Sequence, residues 1–284
     1  MLRAVRPPKS VILDLLSAAP GGQVEVRGLV RAAQLFGITE NNMRVALTRL
    51  RAAGMVESTS RGCYRVGPAA EAVNRQVAAW KQAEDRVREW DGTWIAVHTG
   101  GLPRSQRRAV RRRVRALDLL GFRELSAGLN VRPDNLVGGI DFVRERLHSL
   151  GLEDEAPIFC LDGLDAEMDR RARALWDAKT LDDSYRISRE ELREGRSRLA
   201  ELGAEKAARE SFVLGGKAIR QIVFDPLLPE PIVDRNHRRA FIEEAVRFVE
   251  VGREIWFEFL GMIEAPADLH GIDRDGAAMA AAAG

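Results

Sequence analysis

Apolar residues along the first 70 positions fall at helical and then at strand spacing. Val11, Ile12, Leu15 and Leu16 share one helix face, predicting a helix over residues 8–18 that closes at the Pro-Gly-Gly of 20–22. Leu29, Val30, Ala33 and Phe36 form the predicted buried stripe of a second helix, which Gly37 ends. Thr39 is placed to cap a third helix running to Ala53, with Gly54 as its stop. The stretch 55–67, MVESTSRGCYRVG, then predicts two short strands around a turn at Ser60, Arg61 and Gly62.

The pattern changes further on. A long helix is predicted over residues 68–90, followed by a turn at Asp91 and Gly92 and a buried strand over 94–97. A helix over 103–120, a strand-like stretch 122–133, a helix over 140–150 and a strand in 156–164 complete an alternating segment. Alternation of this kind predicts a small ferredoxin-like α/β domain. From Asp165 the pattern is helical, broken by the proline-rich FDPLLPEPIVD of 224–234, and the alanine-rich end from Asp275 reads as frayed. The expected fold class is therefore α+β and mostly helical. Its expected parts are an N-terminal winged helix-turn-helix (1–90), a ferredoxin-like middle domain (91–164) and a helical C-terminal domain (165–284).

The third helix carries the candidate chemistry. At 100° per residue, Met43, Ala46, Leu47 and Leu50 make a packing face. The other side presents Asn41, Asn42, Arg44, Val45, Thr48 and Arg49, with Glu40 as its single carboxylate. Arginine donates to guanine O6 and N7, asparagine pairs with adenine, and a small apolar group meets the thymine methyl. A helix that follows a tight helix-turn-helix corner enters the major groove with its first residues nearest the bases, which brings in Thr39. Arg61 at the hairpin tip and Arg65 on its second strand suit phosphates or a minor groove. These residues together predict a duplex DNA partner.

Charge sharpens this picture. The net +2 of the 284 residues divides into +6 over residues 1–67, +1 over 68–164 and −5 over 165–284. A basic head on an acidic tail is the distribution of a polyanion-binding module joined to a regulatory or assembly body. No apolar run approaches the ~20 residues a membrane span needs. Asp14 interrupts the only signal-like segment, so a cytoplasmic location is expected. Cys63 and Cys160 are far apart, and His98, His148, His237 and His270 make no HExxH-type pattern, so neither disulfide framework nor metal site is expected. Phosphate-loop and nucleophile-elbow motifs are missing as well, which predicts a non-enzyme. Six arginines over 107–115 read as an exposed face on a helix whose inner side is Val110, Val114 and Leu117. Trp176, Tyr185, Phe224 and Trp256 are candidates either for core or for an acyl pocket. Ile242, Val246, Val249 and Trp256 form a stripe suited to core or to a dimer seam.

The head resembles the PaaX family of bacterial regulators through Arg44, Ala46, Leu47, Arg49, Leu50 and Gly54. The WDGTW of residues 90–94 and the DPLLPE of residues 225–230, with Arg220 just upstream, are similar to further family landmarks. The resemblance implies a dimeric regulator, usually a repressor, acting on a palindromic operator and released by an acyl-coenzyme A effector such as phenylacetyl-coenzyme A. It implies no resident cofactor. It also likens the middle domain to a small nuclease that needs an aspartate ending its first strand; here the strand ends in Val97, His98 and Thr99, so no nuclease is expected. Two rivals remain: an enzyme acting on nucleic acid or acyl-coenzyme A that uses the head for docking, and a winged helix serving protein contact alone.

Overall fold

The computed structural model describes residues 7–19 and 22–261. The expected stop at Pro20 and Gly21, the residue His270 and the alanine-rich end lie outside those residues. The fold is α+β, mostly helical, with two antiparallel sheets. The described residues fall into two compact units, one made of those up to residue 72 together with 253–261, the other of residues 73–252.

In the first unit, α1 (Pro8–Ala18), α2 (Val26–Gln34) and α3 (Glu40–Ala52) pack on one another. Their shared core is built from Val11, Ile12, Leu16, Leu29, Ala32, Ala33 and Met43, all 0–1% exposed. Burying each large side chain there stabilises the head by roughly 1.5–3 kcal/mol. One expectation needs correction. Val30 and Phe36 are only half-buried, whereas Ala32 is fully buried, because α2 is wedged between two helices and its inner arc centres on 29, 32 and 33.

Strands β1 (Gln23–Glu25), β2 (Val56–Ser60) and β3 (Cys63–Val66) form a sheet in the order β1-β3-β2. β2 and β3 are the expected hairpin, turning at Arg61 and Gly62. β1 was not anticipated: three residues give too little alternation to register as a strand. Its place comes from pairing Gln23, Val24 and Glu25 with Arg65, Tyr64 and Cys63.

The second unit corrects the expected helix over 68–90. α4 ends at Ala78 (Pro68–Ala78), and two 3-10 turns, Ala79–Gln82 and Glu84–Arg86, follow. Helix does not resume after these turns because the backbone there is claimed elsewhere. Val137 N donates to Arg86 O at 2.9 Å, and Arg88 N donates to Asn135 O at 2.8 Å. Beyond them the WDGTW turn is held by Asp91, whose carboxylate accepts from Thr93 N at 2.9 Å, with Gly92 at φ 97°. That bond also holds the Asp91 carboxyl below its ordinary value.

β4 (Trp94–His98), α5 (Arg107–Leu119), β5 (Arg123–Ser126), β6 (Leu129–Pro133), α6 (Gly139–Ser149) and β7 (Ile158–Leu161) follow in turn. The sheet order is β5-β6-β4-β7, every pair antiparallel. β4 is central and its first four residues are buried on both faces. Trp94 and Ala96 meet Leu125, Val131, Ala172 and Trp176 in one cluster, which Leu228, Ile232 and Val233 complete. The proline-rich segment is therefore a strap across the sheet rather than a loose linker. Helices α7 (Ala166–Arg173), α8 (Ala178–Leu199), α9 (Ala204–Val223) and α10 (Arg235–Leu260) complete the described chain.

The inner side of α5 also differs from expectation. Ala109, Arg113, Ala116 and Leu117 are buried, while Val114 is 52% exposed. Arg113 tolerates burial because Glu153 accepts from its Nη2 at 2.6 Å and from its Nε at 3.1 Å. On α10, Phe241, Ile242, Ala245 and Phe248 form the core side, leaving Val246, Val249 and Trp256 half-buried.

Candidate nucleic-acid interface

The corner between α2 and α3 is made by backbone chemistry. After Gln34, Gly37 adopts φ 71°; Gly37 N donates to Gln34 O and Ile38 N to Ala33 O, at 3.0 and 3.1 Å. This double closure ends a helix abruptly and needs a residue tolerant of positive φ. Ile38 is 6% exposed, which anchors the turn in the core. Thr39 then caps α3, its hydroxyl accepting from Asn42 N at 3.3 Å. The same closure recurs at the end of α3, where Met55 N donates to Leu50 O and Gly54 N to Arg51 O. Both ends of α3 are thereby set to within a residue.

Between these ends, Met43, Leu47 and Leu50 are buried and Ala46 half-buried. Thr39, Asn41, Asn42, Arg44, Val45, Thr48 and Arg49 are all exposed, as are Arg61 and Arg65 on the hairpin. Several of these groups are engaged within the head. Arg44 donates through Nε to Glu40 at 2.8 Å, and Thr48 donates its hydroxyl to Arg44 O at 3.0 Å. Arg65 pairs with Glu57 across the hairpin. Exposed pairs of this sort contribute at most about 1 kcal/mol, so a competing anion or hydrogen-bonding partner would displace them at little cost. Arg49 and Arg61 form no ion pair among the described residues. On the hairpin, Thr59 donates to Gln23 Oε1 at 3.0 Å, tying β1 to the ribbon. Gln23 was not singled out in the sequence, because β1 itself gave no signal.

The DPLLPE segment carries the second unit's main buried polar cluster. Asp225 accepts from Tyr185 Oη and from Leu227 N, each at 2.7 Å. Burial pushes the Asp225 carboxyl above its ordinary value and the Tyr185 phenol up likewise. Asn135 Nδ2 donates to Leu227 O at 2.6 Å, and Arg132 Nη2 to Asn135 Oδ1 at 3.0 Å. Arg238, 1% exposed, donates to Leu228 O at 2.7 Å and to Glu84 at 2.6 Å. The bonds from Tyr185, Asn135 and Arg238 pin the strap, and those to Arg132 and Glu84 hold two of these partners in place. They account for the landmark as architecture, and no nucleophile–base pair emerges from them.

The four candidate aromatics do not converge. Trp176 stacks on Trp94 at 6.1 Å, and Tyr185 is buried, so both are core. Phe224 is 52% exposed beside α5, bordering an open groove of about 460 Å³ with Val110, Arg111, Val114, Arg115, Asp118 and Leu119. Trp256 lines an apolar void of about 40 Å³ in the first unit, well short of the ~150 Å³ that an empty cavity needs to take up benzene. His98 is exposed, His148 lies 3.1 Å from Asp154, and His237 lies 3.6 Å from Asp234. Among the described residues no group of three or more His, Cys, Asp or Glu is arranged to hold a metal ion, and no helix is long and apolar enough to cross a membrane.

Residues 7–67 match the family described as PaaX, PaaX-like protein. The matched span is the three-helix head with its hairpin. The match supports a PaaX-family protein, and that family points to a transcriptional regulator. Among solved structures, the chain is similar to "Uncharacterized protein Rv0674 from Mycobacterium tuberculosis", with a TM-score of 0.59 and 22% identity over 89% of this chain and 99% of that one. At that identity the likeness is one of fold. No curated protein matches.

Proposed function

We propose that the chain is a sequence-specific regulator of transcription that reads duplex DNA with α3. The observation that carries this reading is the exposed side of that helix. Asn41, Asn42, Arg44, Val45, Thr48 and Arg49 all face outward from a helix capped by Thr39 at its start and ended by the double backbone closure at Gly54. On this reading residues 1–90 are a winged helix-turn-helix with its linker, supported by the order α1-β1-α2-α3-β2-β3. Residues 91–164 are a ferredoxin-like domain, a reading supported by the β-α-β-β-α-β order and the antiparallel sheet β5-β6-β4-β7. Residues 165–284 are a helical domain for assembly or effector binding.

The family likeness supports a dimeric cytoplasmic repressor whose two heads engage half-sites about one helical turn apart, hence a palindromic operator. It likewise supports release by an acyl-coenzyme A effector. A 100-fold change in operator affinity on effector binding corresponds to about 2.7 kcal/mol of coupling, an ordinary magnitude.

The test begins with genomic fragments selected by the wild-type protein. Arg49→Ala is expected to weaken binding to a selected fragment by about 1–3 kcal/mol and to relax preference at one base position. Wild-type affinity and preference in that variant and in Arg44→Ala would remove α3 as the reading element.

A further inference from the structure

The arginines of α5 stand apart from the others in the second unit. Outside α5, most arginines of that unit face a carboxylate. Arg88 meets Asp134, Arg144 meets Asp141, Arg173 meets Asp169, Arg196 meets Glu244 and Arg198 meets Glu210. The chain also places opposite charges four residues apart on other helices, as in Glu40 with Arg44, Lys179 with Asp183 and Arg239 with Glu243. On α5 the rule is inverted. Arg107, Arg111 and Arg115 succeed one another at that spacing, and so do Arg108 and Arg112. Arg113 alone is buried and paired, with Glu153, whose carboxyl is also held low by nearby Arg112. Arg107, Arg108, Arg111 and Arg115 are exposed and form no ion pair among the described residues. The helix's one acid, Asp118, is taken by Arg123.

Like charges at this spacing destabilise a helix by about 0.2–0.5 kcal/mol per pair. No acid in the first turn relieves the strain. A face kept merely soluble would mix signs, as α6 to α10 do. These four guanidiniums, none paired with a carboxylate among the described residues, span nine residues of helix, about 12 Å from first to last. Arg107 and Arg108 lie outside the lining of the groove beside Phe224, so a small molecule or peptide seated in that groove would leave two of the four charges unmet. A polymer with anions at regular spacing meets all of them.

We infer that this face of α5 is a second, sequence-independent DNA surface that grips backbone phosphates through Arg107, Arg108, Arg111 and Arg115. The inference rests on the DNA-binding reading for the identity of the polymer. It requires no base contact, because guanidiniums hold phosphate oxygens by charge-assisted hydrogen bonds whatever the sequence.

The experiment uses the full chain and two duplexes of equal length, one selected from genomic DNA and one scrambled. Affinity is titrated against potassium chloride concentration. Arg111→Glu turns two repulsive pairs into attractive ones, so its melting temperature should equal or exceed the wild type's. Its affinity should nonetheless fall at least about fivefold on both duplexes, with a salt slope shallower by about 1–2. The double variant Arg108→Gln, Arg115→Gln should lose affinity on both duplexes in the same way. Unaltered affinity and slope in both folded variants would overturn the inference and leave an acidic protein surface as the face's counterpart. Loss in Arg111→Glu with none in either Arg49→Ala or Arg44→Ala would uphold α5 while sinking the reading of α3. Failure of the wild type to bind either duplex would overturn both.

Discussion

Arg113 lies on the inner side of α5, where helical periodicity calls for an apolar residue, and it is buried with Glu153 as its partner. The residue scale is where such exchanges are decided. The Arg113 guanidinium holds the Glu153 carboxyl below its ordinary value. The pair's contribution is therefore full above the usual glutamate range, near pH 4.3, and is lost as pH falls through the lowered folded value. Arg113→Ala should cost about 2–3 kcal/mol at neutral pH, the magnitude of a charged hydrogen-bonded contact left unmet. Urea unfolding at neutral and acidic pH checks both points: Glu153→Gln should lower neutral stability and flatten its decline on acidification. A variant as pH-dependent as the wild type would show that other carboxylates govern the acid limb. The same scale explains why the outer face of α3 was legible. Its 13 residues are consecutive, and Met43, Leu47 and Leu50 orient it without help from distant chain.

Whole elements are set by their ends as much as by their faces. α2 and α3 stop where Gly37 and Gly54 take positive φ, at 71° and 67°, and glycine announces such positions in the sequence. Space is open around Gly37, so Gly37→Ala meets no clash and bears only the left-handed backbone cost, about 1–2 kcal/mol. The expected outcome is a lower unfolding midpoint for the head with unchanged denaturant slope. A midpoint equal to the wild type's would mean that the double closure does not hold the corner. Elements whose limits depend on remote backbone were not legible. The helix after Pro68 stops early because residues 86–88 bond to residues 135–137, and β1 exists only because β3 offers it an edge.

At the scale of the whole molecule, the division of charge matters more than the total. Residues 1–67 carry +6 and residues 165–284 carry −5, so on the proposed reading attraction to DNA is concentrated in the head and in the arginines of α5. Binding should therefore weaken steeply with salt although the net charge is only +2. Arg61→Ala at the hairpin tip should reduce affinity evenly across sequences and lower the salt slope by about 1. A slope equal to the wild type's would exclude the hairpin from phosphate contact.

Taken alone, the sequence determined most of the helices, the capped and outward-facing third helix, the hairpin and the lopsided charge. Each of these follows from neighbours within about four residues, or from composition, and such information is complete in the chain itself. Only the tertiary structure decided that α5 buries an arginine, that DPLLPE is a strap bonded to Tyr185, Asn135 and Arg238, and that the candidate aromatics part company. The reason is physical: a polar group's burial is settled by whichever partner reaches it. For Arg113 that partner is 40 residues away, and for Asn135 it is 92.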